Sequence, residues 1–599
     1  MRLLLLYISL LLPAMAVCQT GPAGVGTTDS TSTLKLWYRI DNGVTGSPVT
    51  GWDNNAGVTQ LDLSSSGSNR PSIDANDING FDALNFDGND YLQITGSLTT
   101  SNFVTNQASS FIVSQRNSTT ASWLYATSPH QTNRFSCHVT WSNSNVYFDI
   151  GNCCGTSSRI QVGSLTGLNS YSYWSYMASN GAGKQLYRDG TLLQNRSNTT
   201  TYSSHASHTF RIGETFNGNL TEVIIYRERI NTTQRLLIEN YLSAKYGLSS
   251  NAVDIYDEDD GANGDHDYDV AGIGRLSASD LHNDSRGTGI IRMLNPTDLD
   301  NDEFLMWGHD GASLSATDDS DIPGDLQGRF VREWRVSETD SSGSTAVDVG
   351  AVDIRWDLTG LGTVTASDLR LLIDSDGDGN YGDETGISGA TSLGSNIYEF
   401  SGVTGLTNNT SFTLGTIDWS STPLPIELLS FTAEKKDESI ALNWSTATEK
   451  QLSHFEVLRL NKLGQWEQLG SIYRDEDSMD KRDYQLSDHN PLAENYYQLK
   501  SVDKDGSFEL SDILSVSWQK QSLQQPTLIV DRNTIRIEGL PVSSNAFRVY
   551  NMLGSDVTNK VSVLSASEEM LTLDISNLTA GVYAVQLEQT TLKFNNVIR

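Results

Sequence analysis

LTLDISNLTAGVYAVQLEQTTLKFNNVIR, residues 571–599, sets apolar against polar residues with a period of two. Leu571, Leu573 and Ile575 share one face, and after the turn at Gly581 so do Tyr583, Val585 and Leu587. Successive side chains of a strand point to opposite faces, so this pattern predicts half-buried strands and excludes an amphipathic helix. Upstream, AFRVYNMLGSDV repeats the alternation through Phe547 and Val549.

The same grammar runs backward through the chain: short alternating runs separated by Gly, Asn, Ser and Asp. At 599 residues, the chain has room for about three to five domains, each with its own core. The fold class expected is all-β, a tandem of β-sandwich modules. One helix interrupts it, NTTQRLLIENYLSAKYGL, with Asn231 as N-cap, an apolar stripe of Leu237, Tyr241 and Ala244, and Gly247 as the stop. It follows the strand LTEVIIYRERI and reads as the end of the first domain. STPLPIELLSF marks a proline-rich joint further on.

The chain opens with Arg2, an apolar run Leu3 to Leu12, and Ala14-Met15-Ala16, the plan of a secretory signal peptide over residues 1–18. Cleavage after Ala16 or Cys18 is expected, with a lipoprotein role for Cys18 as the alternative. No segment approaches the ~20 apolar residues of a membrane-spanning helix. The formal charge of −33 argues against nucleic acid as a partner, since phosphate contacts need basic patches. Among Cys18, Cys137, Cys153 and Cys154, the hairpin context FSCHVTWSNSNVYFDIGNCCG suggests a Cys137–Cys153 disulfide, whereas metal binding lacks thiol spacing.

The acidity is local. Asp254 to Asp269 holds eight carboxylates with no Lys or Arg. In LLIDSDGDGNYGDE, residues 371–384, Asp374, Asp376 and Asp378 occupy positions 1, 3 and 5 of a calcium-loop pattern. Gly379 follows at 6, and Asn380 offers a carbonyl at 7. Thr385 replaces the usual glutamate at 12, with Asp383 and Glu384 just before it. No helical pattern flanks the loop, so a structural Ca²⁺ site is expected rather than a sensor, with a solvated acidic turn as the bland alternative. YDEDDGANGDHDYD, with Asp257, Asp259, Asn263, Asp265 and Asp267, is a second, weaker candidate.

Catalytic signatures are missing. His205 and His208 make no HExxH, no GxSxG elbow occurs, and NGAGKQL departs from a phosphate loop. No strand between residues 27 and 248 pairs carboxylates as a glycosidase would. No catalytic residue is therefore expected. Of the first domain's tryptophans, Trp37 reads as core and Trp141, in the turn TWSNSN, as the candidate for carbohydrate contact.

On LKLWYRIDNG, GFDALNFDGNDYLQI, QLYRDGTLL and FRIGETFNGNLTEVIIYRERI, residues 27–248 resemble the laminin-G-like, concanavalin-type sandwiches of secreted bacterial proteins. That fold hosts sugar binders, hydrolases and adhesion modules alike. Residues 249–418, with YDVAGIGRL, FLMWGHDG and REWRVSE, resemble the uncharacterised β-rich segment that follows such domains, and imply no chemistry. Residues 424–518, with SIALNWST, HFEVLRL and NYYQLKSVDKDGSFELSDILSV, resemble a fibronectin type III-like spacer. Residues 525–599 resemble the C-terminal sorting domain of type IX secretion cargo, which implies passage through that machinery to the cell surface or medium. The expected function is non-catalytic adhesion or binding of an extracellular glycan or surface polymer. A concanavalin-type glycoside hydrolase is the alternative, and a passive structural surface component the second.

Overall fold

The computed structural model describes residues 19–599 except 119–121, 131, 154–158, 198–201, 203–207, 251–252, 263, 315–316, 360, 362–363, 420–421, 423–427, 437–438, 447–451, 463–464, 475–481, 505–507, 512, 519–526, 539–546, 567–569, 588–589 and 597–599. The signal sequence with Cys18, and Cys154, His205 and Asn263, lie outside the described residues.

The protein is nearly all β, built as paired sheets in series. In the first pair an eight-stranded sheet, to which Leu34–Arg39, Ala108–Arg116, Ser172–Ser179 and Asn217–Tyr226 belong, faces a nine-stranded sheet containing Tyr125–Ser128, Asn133–His138 and Val146–Asn152. Alternation decides what faces inward. Phe135, Cys137, Phe148 and Ile150 are fully buried in the core, and Tyr176 of the other sheet stacks on Phe148 at 4.5 Å, joining the two layers. Such a pair adds about 0.5–1.5 kcal/mol beyond its buried area. Trp37, Trp52 and Trp174 fill the same core.

The helix Thr232–Tyr246 begins with a reciprocal cap, Asn231 accepting from Gln234 N–H and the Gln234 side chain accepting from Asn231 N–H. It stops at Gly247, whose φ of 57° is left-handed. Its burial is not confined to one stripe: every residue from Arg235 to Tyr246 is buried. The Asn240 side chain shows why, since its Oδ1 accepts from Ile255 N (2.9 Å) and Tyr256 N (3.1 Å), tying the following chain back onto the helix. The first core continues through Ile255, Tyr256, Val270, Phe304 and Met306, so the helix is packed by both units.

The second unit pairs an eight-stranded with a five-stranded sheet around Trp307, Trp334, Trp356 and Phe412, with Trp334 edge-on to Trp356 at 5.1 Å. A third unit packs a three-stranded against a five-stranded sheet around Trp444, Phe455 and Tyr497. In the last unit Leu571, Leu573, Ile575, Tyr583, Val585 and Leu587 are all buried. The turn at Gly581 carries the chain across the sandwich: Met570–Asp574 pairs with Thr534–Glu538 in one sheet, and Gly581–Leu587 pairs with Thr590–Asn596 in the other.

The expected Cys137–Cys153 bridge is not formed. The hairpin register sets Cys137 opposite Phe148, whereas Cys153 lies just beyond Asn152, the partner of Asn133. Five residues of strand separate the positions by about 16 Å, far past the ~7 Å that a disulfide allows between Cα atoms.

Candidate functional site

The hairpin joining Asn133–His138 to Val146–Asn152 closes through Trp141 N–H to Asn145 O (2.9 Å) and Ser144 N–H to Trp141 O (2.8 Å). This turn holds Trp141 half-buried at the rim of the nine-stranded sheet. Trp123 meets it edge-on at 5.5 Å, His138 lies 4.9 Å away, and the exposed His130 stacks flat on Trp123 at 3.9 Å. The Arg134 guanidinium sits 4.8 Å from the Trp123 ring. Two tryptophans, 18 residues apart in the chain, thus form one aromatic corner.

Beneath them the outward side chains are polar. Asp149, fully buried, accepts from Arg134 Nη2 (2.8 Å) and from Arg159 Nε (2.6 Å) and Nη2 (2.9 Å). Burial alone would raise its pKa, but the Arg159 and His138 contacts and the Arg134 charge hold it well below the usual carboxylate range. His138 donates from Nδ1 to Ser122 O (2.8 Å), and burial keeps it below its ordinary pKa. Arg159 lies over Tyr147 at 4.3 Å, and the Tyr147 hydroxyl accepts from Asn143 (2.6 Å) and Asn145 (3.2 Å) of the turn. At the rim Glu214 bridges His130 (3.2 Å) and Arg211 (3.1 Å). These contacts outweigh burial and lower its pKa.

A half-exposed aromatic corner beside polar side chains suits a ring with one apolar face and a polar edge. The sequence singled out Trp141 alone. Its partners Trp123, Arg134, His138, Tyr147, Asp149 and Arg159 were missed. Yet RFSCH and VYFDI carry the signal, since polar residues or tyrosine occupy the outward positions Arg134, Ser136, His138, Tyr147 and Asp149.

The acidic loop assembles locally. From the end of the strand Leu369–Ile373, Asp374 turns inward, 5% exposed, and accepts Gly377 N–H (2.9 Å) and Gly379 N–H (3.1 Å). Gly377 and Gly379 take φ of 74° and 78°, which few other residues tolerate. Carboxylate oxygens of Asp374, Asp376 and Glu384 fall within 4.8 Å of one another, as do those of Asp376, Asp378 and Asp383. The Asp378 N–H pulls Asp376 down, but the charges of Asp378, Asp383 and Glu384 leave it above its usual value. The Asn380 side chain caps the short turn Tyr381–Asp383 by accepting from Gly382 N–H (3.0 Å). An all-oxygen set of this kind fits a hard cation.

The second acidic loop does not assemble in the same way. Asp257 accepts from Ser337 Oγ (2.8 Å) and Asp267 from Asn79 (2.8 Å), so these carboxylates are spent on neighbouring strands. Among the described residues no three carboxylates of Asp257, Asp259, Asp265 and Asp267 converge, and Asn263 lies outside the described residues.

Residues 530–598 match the secretion system C-terminal sorting domain, and residues 234–410 match the domain of unknown function DUF8202, which starts inside the helix. No curated protein matches the chain. Among solved structures, domain 4 of AbnA, a GH43 extracellular arabinanase from Geobacillus stearothermophilus, in complex with arabinotriose, is similar at 16% identity and a TM-score of 0.27, over 34% of this chain and 97% of that one. The botulinum neurotoxin serotype D binding domain is similar at 11% identity and 0.27, over 66% and 94%. The serotype D ligand binding domain in complex with N-acetylneuraminic acid gives 10% and 0.27, also over 66% and 94%. No helix among the described residues is long and apolar enough to cross a membrane. With its sorting domain, the protein is a type IX secretion cargo, exported to the cell surface or the surrounding medium.

Proposed function

We propose that this protein is a non-catalytic surface adhesin whose first sandwich, of laminin-G or concanavalin type, binds an extracellular glycan on the Trp141 face. The observation that carries this reading is the edge-on pair of Trp123 and Trp141 at 5.5 Å above the Asp149–Arg134–Arg159 floor. Because His130 stacks on Trp123 and Arg134 lies over the same ring, a sugar would stack on Trp141, with its hydroxyls toward Asn143 of the turn. Non-catalytic action is supported by the two carboxylates of the face, Asp149 and Glu214. Both are held below their usual pKa, whereas a glycosidase keeps one acid protonated.

Residues 1–18 would serve as the export signal, the second unit would be stiffened by one structural Ca²⁺ at Asp374, Asp376 and Glu384, and residues 424–518 would act as a fibronectin type III-like spacer. A glycan array probed with the secreted chain, with and without EDTA, tests the binding claim. Trp141→Ala should abolish signal while leaving the circular dichroism spectrum unchanged. A blank array for the wild type would favour a passive structural component. Hydrolysis of a bound oligosaccharide would favour the glycosidase reading.

A further inference from the structure

A cavity of about 130 Å³ lies where the outer face of the eight-stranded sheet, the start of the helix and the Ser279–Asp280 turn of the second unit meet. Met177 and Gln185 form its sheet wall, and Arg229, Asn231, Arg235 and Asp280 complete it.

The charges around it are unevenly matched. Arg235 is buried, paired with Glu239 and laid over Tyr187 at 4.1 Å. Asp280 Oδ1 accepts from Thr233 N (2.9 Å) and Asn231 Oδ1 from Gln234 N (2.8 Å), so these two N–H groups of the first helical turn are already bonded. Arg229 differs. Its Nη2 donates to Gln185 Oε1, while its Nη1 is shielded from solvent and has no hydrogen-bond partner. Among the described residues no carboxylate pairs with it. Burial, with Arg235 nearby, pulls the guanidinium below its ordinary pKa.

A sheltered charged donor left unmade is unfavourable, and native proteins keep few of them. A cavity of this size holds several waters or one carboxylate- or sulfate-sized group. Sites that enclose whole ligands run to about 300–1,000 Å³, which leaves a sugar ring outside.

We propose that this cavity binds one oxyanionic group, a sulfate or a carboxylate, with Arg229 Nη1 as its principal donor. Such a group reaches the cavity either as a free ion or as the charged substituent of an acidic saccharide whose ring stays outside. Because sheet, helix and second unit each supply a wall, occupancy would lock the two units together.

Isothermal titration of the secreted chain with sodium sulfate and with sodium glucuronate, at constant ionic strength set by sodium chloride, tests this. Saturable binding of sulfate alone marks a free-ion site, and binding of glucuronate marks a saccharide-borne group. In either case Arg229→Gln should weaken binding at least tenfold. Should Arg229→Gln fail to fold, Arg229→Lys, which keeps the charge and loses the fork, should bind at least threefold more weakly than wild type. The proposal is overturned if neither anion saturates, or if the folded Arg229 variant binds as the wild type does.

Discussion

Lys245 Nζ lies 2.9 Å from Glu222 Oε2 with both side chains buried, one on the helix and the other on the strand Asn217–Tyr226. Glu222 is fully satisfied: Oε1 accepts from Trp37 Nε1 (2.7 Å) and Tyr241 OH (2.9 Å), and Oε2 also accepts from Tyr246 OH (2.7 Å). This cluster latches the helix to the sheet.

Removing one partner of a buried ion pair typically costs about 3–5 kcal/mol, because the other charge is left without its match. Glu222→Gln should therefore destabilise the protein by about 3 kcal/mol or more. Lys245→Met should cost at least as much, since it strands the fully buried Glu222 carboxylate, whereas in Glu222→Gln Lys245 keeps Asp41 at 3.0 Å. Urea unfolding followed by tryptophan fluorescence checks the order. Equal stability of Glu222→Gln and wild type would show that the latch contributes nothing.

Two sets of carboxylates pull the pH dependence in opposite directions. Burial pushes Glu258, Asp259 and Glu338 up to about 7, neighbouring carboxylates adding to it. Unfolded carboxyls titrate near ~4, so between those values the folded state holds more protons, and stability should rise as pH falls from 8 to 5. Asp41, held at about 2 by Lys245 and Arg39 against burial, works the other way, as do Asp149 and Asp269. Their contribution is present above pH ~4 and lost as pH drops through their folded values. In EDTA the Tm should peak between about pH 4 and 6. The triple variant Glu258→Gln, Asp259→Asn, Glu338→Gln should flatten the limb from 5 to 8. An unchanged slope would assign that limb to general repulsion at a net charge of −33.

The acidic loop should respond to calcium. A cation bound only by the folded state stabilises by about 1.4 kcal/mol at tenfold excess over Kd. Calorimetry of the full chain should show a higher transition for the second unit in 2 mM Ca²⁺ than in EDTA. Asp376→Ala should erase the difference, because Asp376 belongs to both converging triplets. Asp374→Ala should also lower stability in EDTA, since Asp374 holds the Gly377 and Gly379 N–H groups. Identical transitions in wild type would leave a solvated turn.

Deleting residues 525–599 should retain the protein in the periplasm, read by fractionation and surface proteolysis. A single core change, Leu573→Asp, should act similarly, because Leu573 is fully buried in that sandwich. Normal surface display of the truncated chain would refute the role of the tail.

The sequence by itself determined what is local. Alternation at Leu571, Leu573 and Ile575 placed these residues inside. Asn231 and Gly247 fixed the two ends of the helix, and carboxylates two residues apart on a glycine-rich loop converged around Asp376. Each depends on backbone geometry within a few residues, which holds whatever packs nearby. Only the tertiary structure decided the rest. A period of two separates in from out but does not say what meets the outer face, so Trp123 beside Trp141 and Arg159 on Asp149 could not be read. Register is a property of pairs of strands, and it moved Cys153 away from Cys137. Glu222, a charge inside the strand LTEVIIYRERI, sits fully buried because a lysine 23 residues later returns on the helix to neutralise it. Long-range burial makes a charge either prohibitive or central, and only the partner that the fold delivers decides which.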